Sequence, residues 1–144
     1  MISLPNVTLV THYIRLTEYV VIHIFQRMNI LAKDLFSGLS HETRLRCITL
    51  LMHHDELCVC ELTHAIGAAQ PHISRHLAQL KELGLIVDRR EGLWVHYRIN
   101  PVLPQWVRDV LQSTLVGVRE VSPFRDDSDV LDQMPNRPGA PKCA

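Results

Sequence analysis

Apolar residues recur at helical spacing through the middle of the chain. In SHETRLRCITLLMHH, Leu45, Ile48 and Met52 fall at i, i+3 and i+7, which places them on one face of a helix. Ser40 precedes this run and is the predicted cap. The stretch MNILAKDLFSGLS before it also has a helical pattern. We therefore predict two helices between Met28 and the paired histidines at the end of the second run.

Two further helices follow, separated by a short break. The first is predicted from about Val59 to Ile66 and ends at Gly67. The second, PHISRHLAQLKEL, starts with Pro71, because proline is favoured at the first helical position, and ends at Gly84. Its apolar residues recur at i, i+4 and i+7, so the opposite face is polar. This order predicts two helices joined by a tight turn.

The next stretch, LIVDRREGLWVHYRI, predicts a β-hairpin. Two β-rich runs flank Glu91 and Gly92, which is a hairpin signal. Alternate residues of the second run are apolar, so one face is predicted to pack, and the face that carries His96 is predicted to meet solvent or ligand. Pro101 and Pro104 then introduce a last helix, LPQWVRDVLQSTLVGVREV.

These elements predict a mainly α fold with a β-hairpin wing, the winged helix-turn-helix. We assign residues 28–121 to this domain and residues 122–144, which are rich in Asp and Pro without periodicity, to a flexible tail. Residues 1–27 form an N-terminal extension, and one hypothesis is that translation starts at Met28. The apolar faces around NILAKDLF and WVRDVLQSTLVGV lack partners in so small a domain. They predict a homodimer whose two reading helices lie about one DNA turn apart.

Charge is balanced over the whole chain and uneven along it. The 144 residues have a formal net charge of zero. Five basic and three acidic side chains lie between His72 and Arg98, whereas three basic and five acidic ones lie between Glu120 and the end. This distribution favours a local basic surface over a uniformly neutral one.

The helix that begins at Pro71 has an outward face suited to double-stranded operator DNA. Its side chains can donate or accept hydrogen bonds at base edges, and Arg75 is the first candidate for a base contact. Arg89 and Arg90 in the wing are candidates to neutralise phosphates. A solvated polar face is the alternative interpretation, but the helical pair, the short turn and the Arg-bearing hairpin together favour DNA binding. The candidate DNA-contacting residues of the helix are Gln70, His72, Ser74, Arg75, His76 and Gln79.

The stretch ELCVCELTHAIG places two cysteines where a helix begins. Cys58 holds the capping position and Glu61 the acidic position of a capping box, although a thiol caps poorly. Thiolates are soft ligands that select thiophilic ions, and a helix N-terminus lowers thiol pKa. Cys58 and Cys60 are therefore candidate metal ligands. The alternative is that they are small residues that start a helix and bind nothing.

The chain opens with a stretch that predicts neither a signal peptide nor a membrane span. Arg15 and Glu18 interrupt its apolar residues, and a span needs about 20 of them. We therefore expect a cytoplasmic protein, without a membrane partner, whose thiols are reduced. Cys47 lies among apolar residues of a predicted helix and is expected to be a core thiol. Cys143, in the predicted tail, is expected to be idle unless it supplies a third sulfur.

The residues ELCVCELTHAIGAAQPHISRHLAQLKELGLIVDRREGLWVHYRINP resemble ArsR-type (ArsR/SmtB) metalloregulatory repressors, specifically the arsenic-responsive group. The resemblance covers residues 30–115 or so. It implies a homodimeric repressor of an arsenic-resistance operon, without an obligatory cofactor, that As(III) or Sb(III) releases from its operator. Members of the group often carry a third cysteine where this chain has Thr63. A hydroxyl is a poor ligand for arsenic, so the third ligand stays open, with Cys143 as one candidate.

The spacing of the cysteine pair predicts how such an ion acts. Helical residues turn by about 100° each, so Cys58 and Cys60 point roughly 200° apart when both are helical. We therefore predict that one ion binds both sulfurs only by unwinding the first turn, which belongs to the reading unit.

Three alternatives to an arsenic-responsive repressor remain. A cadmium, lead or zinc sensor would add His53, His54 or His64 to the cysteine pair. A thiol redox switch would use the two cysteines alone. An enzyme of the thiol oxidoreductase class is not expected, because that chemistry usually uses C-x-x-C near a βαβ unit and this chain has neither.

Overall fold

The computed structural model of the protein describes residues 30–138. The predictions for residues 1–27 and for Cys143 lie outside this range. Within it the chain forms a mainly helical domain with one small antiparallel sheet. The helices are α1 (Ala32–Leu39), α2 (Glu42–His53), α3 (Val59–Ile66), α4 (Gln70–Glu82), α5 (Gln105–Val118) and α6 (Phe124–Asp132), and the strands are β1 (Leu57–Cys58), β2 (Ile86–Glu91) and β3 (Trp94–Ile99).

The predicted winged helix-turn-helix is confirmed. Helices α3 and α4 are joined by the three residues after Ile66, and Gly67 takes a left-handed φ of 70° that ends α3. Strands β2 and β3 pair in register from Ile86 opposite Ile99 to Glu91 opposite Trp94, which forms the wing. Gly92 turns the hairpin with a φ of 59°.

The cap of α2 differs from the prediction. His41, not Ser40, is the N-cap, and its Nδ1 accepts a hydrogen bond from the backbone N–H of Thr43 at 3.2 Å. Ser40 instead ends α1, because its N–H and its hydroxyl both donate to the carbonyl of Ser37. The imidazole nitrogen thus performs the role usually filled by a side-chain oxygen.

The sheet contains a third strand that the sequence pattern does not show. The short strand β1 pairs with β3, with Leu57 opposite Tyr97 and Cys58 opposite His96, so the strand order is β1-β3-β2. Two residues are too few to display the alternation that identifies a strand. Through β1, the start of α3 is joined directly to the wing.

The core lies between the helices and the inner face of the sheet. Leu62 of α3 and Leu77 of α4 are fully buried in it, as is Cys47 of α2. Burial raises the pKa of the Cys47 thiol to about 12. This agrees with the prediction that Cys47 is a core thiol.

The prediction of a flexible tail from residue 122 is wrong for residues 124–132, which form α6. Leu131 is fully buried and Asp127 is 2% exposed, so this helix is part of the packed domain. The guanidinium of Arg46 in α2 donates to both carboxylate oxygens of Asp127, at 2.7 and 2.5 Å. A bidentate pair of this kind fixes orientation as well as distance.

Replacing Asp127 with asparagine is expected to lower the free energy of unfolding by about 3 kcal/mol, because the part-buried guanidinium of Arg46 loses its carboxylate. Urea unfolding followed by circular dichroism measures the change. The matched control is Asp129→Asn, since Asp129 is exposed on the same helix, and a change within about 0.5 kcal/mol is expected there. Equal stability of the two variants would contradict the anchoring role of Asp127.

Candidate functional site

The two cysteines lie at the junction of β1 and α3. Cys58 ends β1 and is the N-cap of α3, with an extended backbone (φ −81°, ψ 163°). Cys60 is the second residue of the helix. The two side chains are bonded to each other in a disulfide, and their Cα atoms are 5.4 Å apart. The reduced thiols expected from the sequence are therefore joined in this structure.

This arrangement corrects the predicted geometry of the pair. The estimate that the sulfurs point about 200° apart assumes that both residues are helical. Cys58 is extended, so its side chain lies beside that of Cys60. The premise that both residues are helical is wrong for Cys58, so the need to unwind the first turn of α3 no longer follows from it.

The backbone of the site is held by the predicted capping box. The carboxylate of Glu61 accepts a hydrogen bond from the backbone N–H of Cys58 at 2.7 Å. Cys58 and Glu61 are both fully buried. A buried carboxylate that accepts a backbone N–H fixes both groups, because either one would lose its partner on moving. The prediction of Glu61 as the capping acid is confirmed.

The other candidate ligands do not assemble around the cysteine pair. Within residues 30–138, no three His, Cys, Asp or Glu side chains are placed so that they could hold a metal ion. The rings of His53 and His54 face each other edge-on, with centroids 5.0 Å apart. Thr63, which stands where a third cysteine occurs in the arsenic-responsive group, has a buried hydroxyl without a hydrogen-bond partner among these residues. Cys143 lies beyond them.

Helix α4 carries the predicted DNA-reading side chains with unequal exposure. Gln70, Arg75 and Gln79 are exposed, whereas His72 and Ser74 are half-buried. The amide oxygen of Gln79 accepts a hydrogen bond from the Arg44 guanidinium at 2.9 Å, and the His72 ring lies 3.3 Å from the hydroxyl of Thr43. The helix therefore presents Arg75 outward without an internal ion-pair partner among the described residues.

His76 is the exception among these residues. Only 6% of it is exposed, because its ring packs between those of His41 and His72, with centroid distances of 4.3 and 4.5 Å. The prediction that His76 contacts base edges is wrong for this structure. The helical spacing correctly places it near the polar face, but the capping residue of α2 covers it.

The histidine cluster predicts a pH dependence of stability. Burial lowers the pKa of His76, and the neighbouring His41, His72 and Arg44 lower it further, against a hydrogen bond with Gln79. The pKa of a histidine in the unfolded chain is about 6.5, which is above that of His76 in the folded protein. At acidic pH the unfolded state therefore binds more protons than the folded state. The free energy of unfolding should therefore fall as the solution is acidified.

Urea unfolding at about pH 7.5 and about pH 5.5 measures this effect. We expect wild-type protein to lose stability on acidification and His76→Phe to lose less, because phenylalanine keeps a ring and has no titrating group. The same loss in both proteins would show that His76 is not the responsible group.

The two wing arginines are not equivalent. Arg89 donates to both carboxylate oxygens of Glu56, and to Glu91 at 2.8 Å. These bonds hold the pKa of the Glu56 carboxyl below its usual range. Arg90 is exposed and has no ion-pair partner within residues 30–138. The guanidinium of Arg90 is therefore more available to a DNA phosphate than that of Arg89.

The face of β3 predicted to meet solvent is partly covered. His96 is 6% exposed, and its ring nitrogens lie 3.7 and 3.8 Å from the carboxylates of Glu56 and Glu91. The sequence could not show this, because Glu56 precedes β1 and reaches the wing only through the pairing of β1 with β3.

Comparison with known proteins identifies the family. The family profile described as "Bacterial regulatory protein, arsR family" matches residues 41–87, which contain the helix-turn-helix. The chain is 48% identical over 111 residues to arsenic resistance transcriptional regulator ArsR1 of Pseudomonas putida, covering 76% of this chain and 84% of that one. The chain belongs to the ArsR family.

Two further similarities support the assignment. This ArsR-family chain is 56% identical over 82 residues to arsenic resistance transcriptional regulator ArsR2 of Pseudomonas putida, covering 57% of this chain and 71% of that one. It also superposes on the crystal structure of the AntR antimony-specific transcriptional repressor with a TM-score of 0.51 and 31% identity, covering 60% of this chain and 75% of that one. The predicted resemblance and fold class are confirmed.

The family assignment establishes the general activity. As a member of the ArsR family, this chain is a DNA-binding transcription regulator and not an enzyme. Its reading unit is the α3–α4 pair with the β2–β3 wing. Within residues 30–138, no helix is both long enough and apolar enough to cross a membrane.

Proposed function

We propose that this protein is a cytoplasmic repressor of arsenic-resistance genes. It leaves its double-stranded operator when As(III) or Sb(III) binds to Cys58 and Cys60. The observation that carries the proposal is the placement of both sulfurs side by side where β1 meets α3. The similar Pseudomonas putida proteins are named arsenic resistance regulators, and AntR is described as antimony-specific.

The donor set fits a trivalent metalloid. Two thiolates are soft ligands, and arsenic and antimony are thiophilic. The site is closed to solvent at Cys58, so bound thiolates would be shielded from competing water. The pair must be reduced to bind, because a disulfide offers no thiolate. Cys58 and Cys60 would hold the ion, which would restrain the two residues relative to each other.

The position of the pair explains how binding reaches DNA. Cys58 belongs to β1, which pairs with β3 of the wing, and Cys60 belongs to α3, which packs on α4. A restraint between the two sulfurs therefore acts on both parts of the reading unit. A ligand shifts such an equilibrium only by its different affinity for the DNA-bound and released shapes. Under this proposal the two shapes would differ in how the wing sits against the helices, and α3 would not need to unwind.

The third ligand is proposed to be Cys143. The hydroxyl of Thr63 is a hard donor and does not substitute for sulfur. Cys143 lies six residues after Arg137, the last ion-paired residue described, and that length of chain reaches at most about 20 Å. An arsenite titration of Cys143→Ser tests the assignment: weaker binding than wild type supports it, and equal binding removes Cys143 from the site.

A homodimer is proposed from the exposed apolar faces of the terminal helices. Leu31 and Phe36, at the start of the described chain and in α1, are 54% and 56% exposed, and Val116 of α5 is 55% exposed. Pairing these faces across a two-fold axis would cover them and place two α4 helices on one operator. Light scattering that shows a monomer at micromolar concentration would refute the dimer.

A mobility-shift assay with the reduced protein tests the proposed function. Arsenite and antimonite are expected to release operator DNA at lower concentrations than cadmium, lead or zinc ions, because the described histidines do not converge on the cysteine pair. Release by cadmium, lead or zinc alone would instead identify a sensor of those ions.

A thiol redox switch is the second candidate, and the disulfide between Cys58 and Cys60 favours it. In that case peroxide alone would release operator DNA from reduced protein, and a reductant would restore binding. If peroxide has no effect while arsenite releases DNA, the metalloid response stands without the redox response.

A further inference from the structure

The C-terminal segment contacts the cysteine site through one ion pair. The guanidinium of Arg137 donates from Nε to Oε1 of Glu61 at 3.0 Å. The other oxygen of the same carboxylate accepts the backbone N–H of Cys58. Arg137 is therefore linked to the backbone of a candidate metalloid ligand through a single intervening side chain.

The ion pair between Arg137 and Glu61 is largely buried. Glu61 is fully buried, and the side chain of Arg137 is 19% exposed. Within residues 30–138, Arg137 supplies the only basic group within 4.0 Å of the Glu61 carboxylate. A buried carboxylate that loses its counter-ion is no longer stabilised in place, so it is drawn toward water. That movement would weaken its hold on the backbone of Cys58.

Arg137 follows α6 in the chain and reaches Glu61 at the start of α3. Helix α6 is also linked to the far end of α3. Asp127 orients the guanidinium of Arg46, whose Nη2 also donates to the backbone carbonyl of Ile66 at 3.2 Å. Ile66 is the last residue of α3, and Glu61 lies in its first turn. The segment from Phe124 to Arg137 is therefore tied to both ends of the helix that carries Cys60.

We propose that Arg137 is a positioning residue of the metalloid site, and that segment 124–137 holds Cys58 and Cys60 in the arrangement that binds the ion. This inference rests on the proposed function. It also links ion binding to a part of the chain that lies outside the reading unit. Arg137 lies outside residues 41–87, the range that the family profile matches.

Arsenite titration of the reduced full-length protein tests the proposal. Arg137→Gln is expected to weaken arsenite binding about 10- to 100-fold, as loss of a group that supports a metal ligand typically does. Affinity of the ion-free protein for operator DNA should stay at the wild-type value, which loss of folding would not allow. Arg137→Lys should restore part of the arsenite affinity because it keeps the charge. The matched control is Arg125→Gln, since Arg125 is exposed and has no contact with Glu61.

A double-mutant cycle with Glu61→Gln isolates the ion pair. Glutamine keeps an oxygen for the Cys58 N–H and carries no charge. In that background Arg137→Gln should have little further effect on arsenite affinity. An equal loss with and without Glu61 would overturn the proposal, as would wild-type affinity in Arg137→Gln. Absence of arsenite binding in the wild-type protein would instead refute the proposed function.

Discussion

Replacing Cys58 or Cys60 with serine abolishes release by arsenite and leaves operator binding intact. Serine keeps the size of the side chain and replaces a soft sulfur with a hard oxygen, so the ion loses one of its two adjoining ligands. In wild-type protein arsenite is expected to weaken operator binding about 5- to 150-fold, the usual range of allosteric coupling. In either variant the same concentration should leave the affinity unchanged.

Mobility-shift titrations with and without arsenite measure both quantities. Cys47→Ala is the control, because it removes the buried thiol of α2 and keeps both sulfurs of the site. It should respond to arsenite as wild-type protein does. Normal release from both serine variants would show that the inducer binds elsewhere.

Replacing Arg75 with alanine weakens operator binding about 5- to 150-fold. Arg75 is exposed on α4 and has no ion pair among the described residues, so it is available to a guanine edge in the major groove. A good contact of this kind contributes about 1–3 kcal/mol. The loss should be smaller on non-specific DNA, because base contacts carry sequence information and phosphate contacts do not.

Fluorescence anisotropy with operator and unrelated duplexes measures the effect. Arg125→Ala removes the same charge from an exposed position on α6 and should bind operator as wild-type protein does. If Arg75→Ala lost affinity equally for operator and unrelated DNA, Arg75 would be a phosphate contact and not a reader of bases.

Local signals explain why the reading unit is predictable from sequence. Gly67 ends α3 in a left-handed conformation, and Pro71 lies in the first turn of α4. Each residue acts through its own backbone preference, so it needs no distant partner. The hairpin likewise follows from alternation and the turn at Gly92. These elements contain most of the proposed DNA-contacting residues.

Long-range contacts explain the elements that were missed. Helix α6 is mostly polar, and it is held by the pairing of Asp127 with Arg46, 81 residues earlier. Strand β1 exists only because β3 lies beside it. Neither contact leaves a periodic trace in the chain.

The cysteine pair shows how one backbone assumption changes a mechanism. Its position at the start of α3 and the role of Glu61 follow from sequence, as the structure confirms. The direction of the two sulfurs was not predicted correctly from the sequence, because a capping residue is extended and not helical. With Cys58 in β1, the proposed site joins wing and helix, and we expect binding to need no unwinding.

Arsenic X-ray absorption on arsenite-loaded protein tests the central claim most directly. The wild-type protein should show at least the two sulfurs of Cys58 and Cys60 as nearest neighbours of arsenic, and a variant with serine at both positions should lose them. The same sulfur count in the wild-type protein and the double variant would contradict the account.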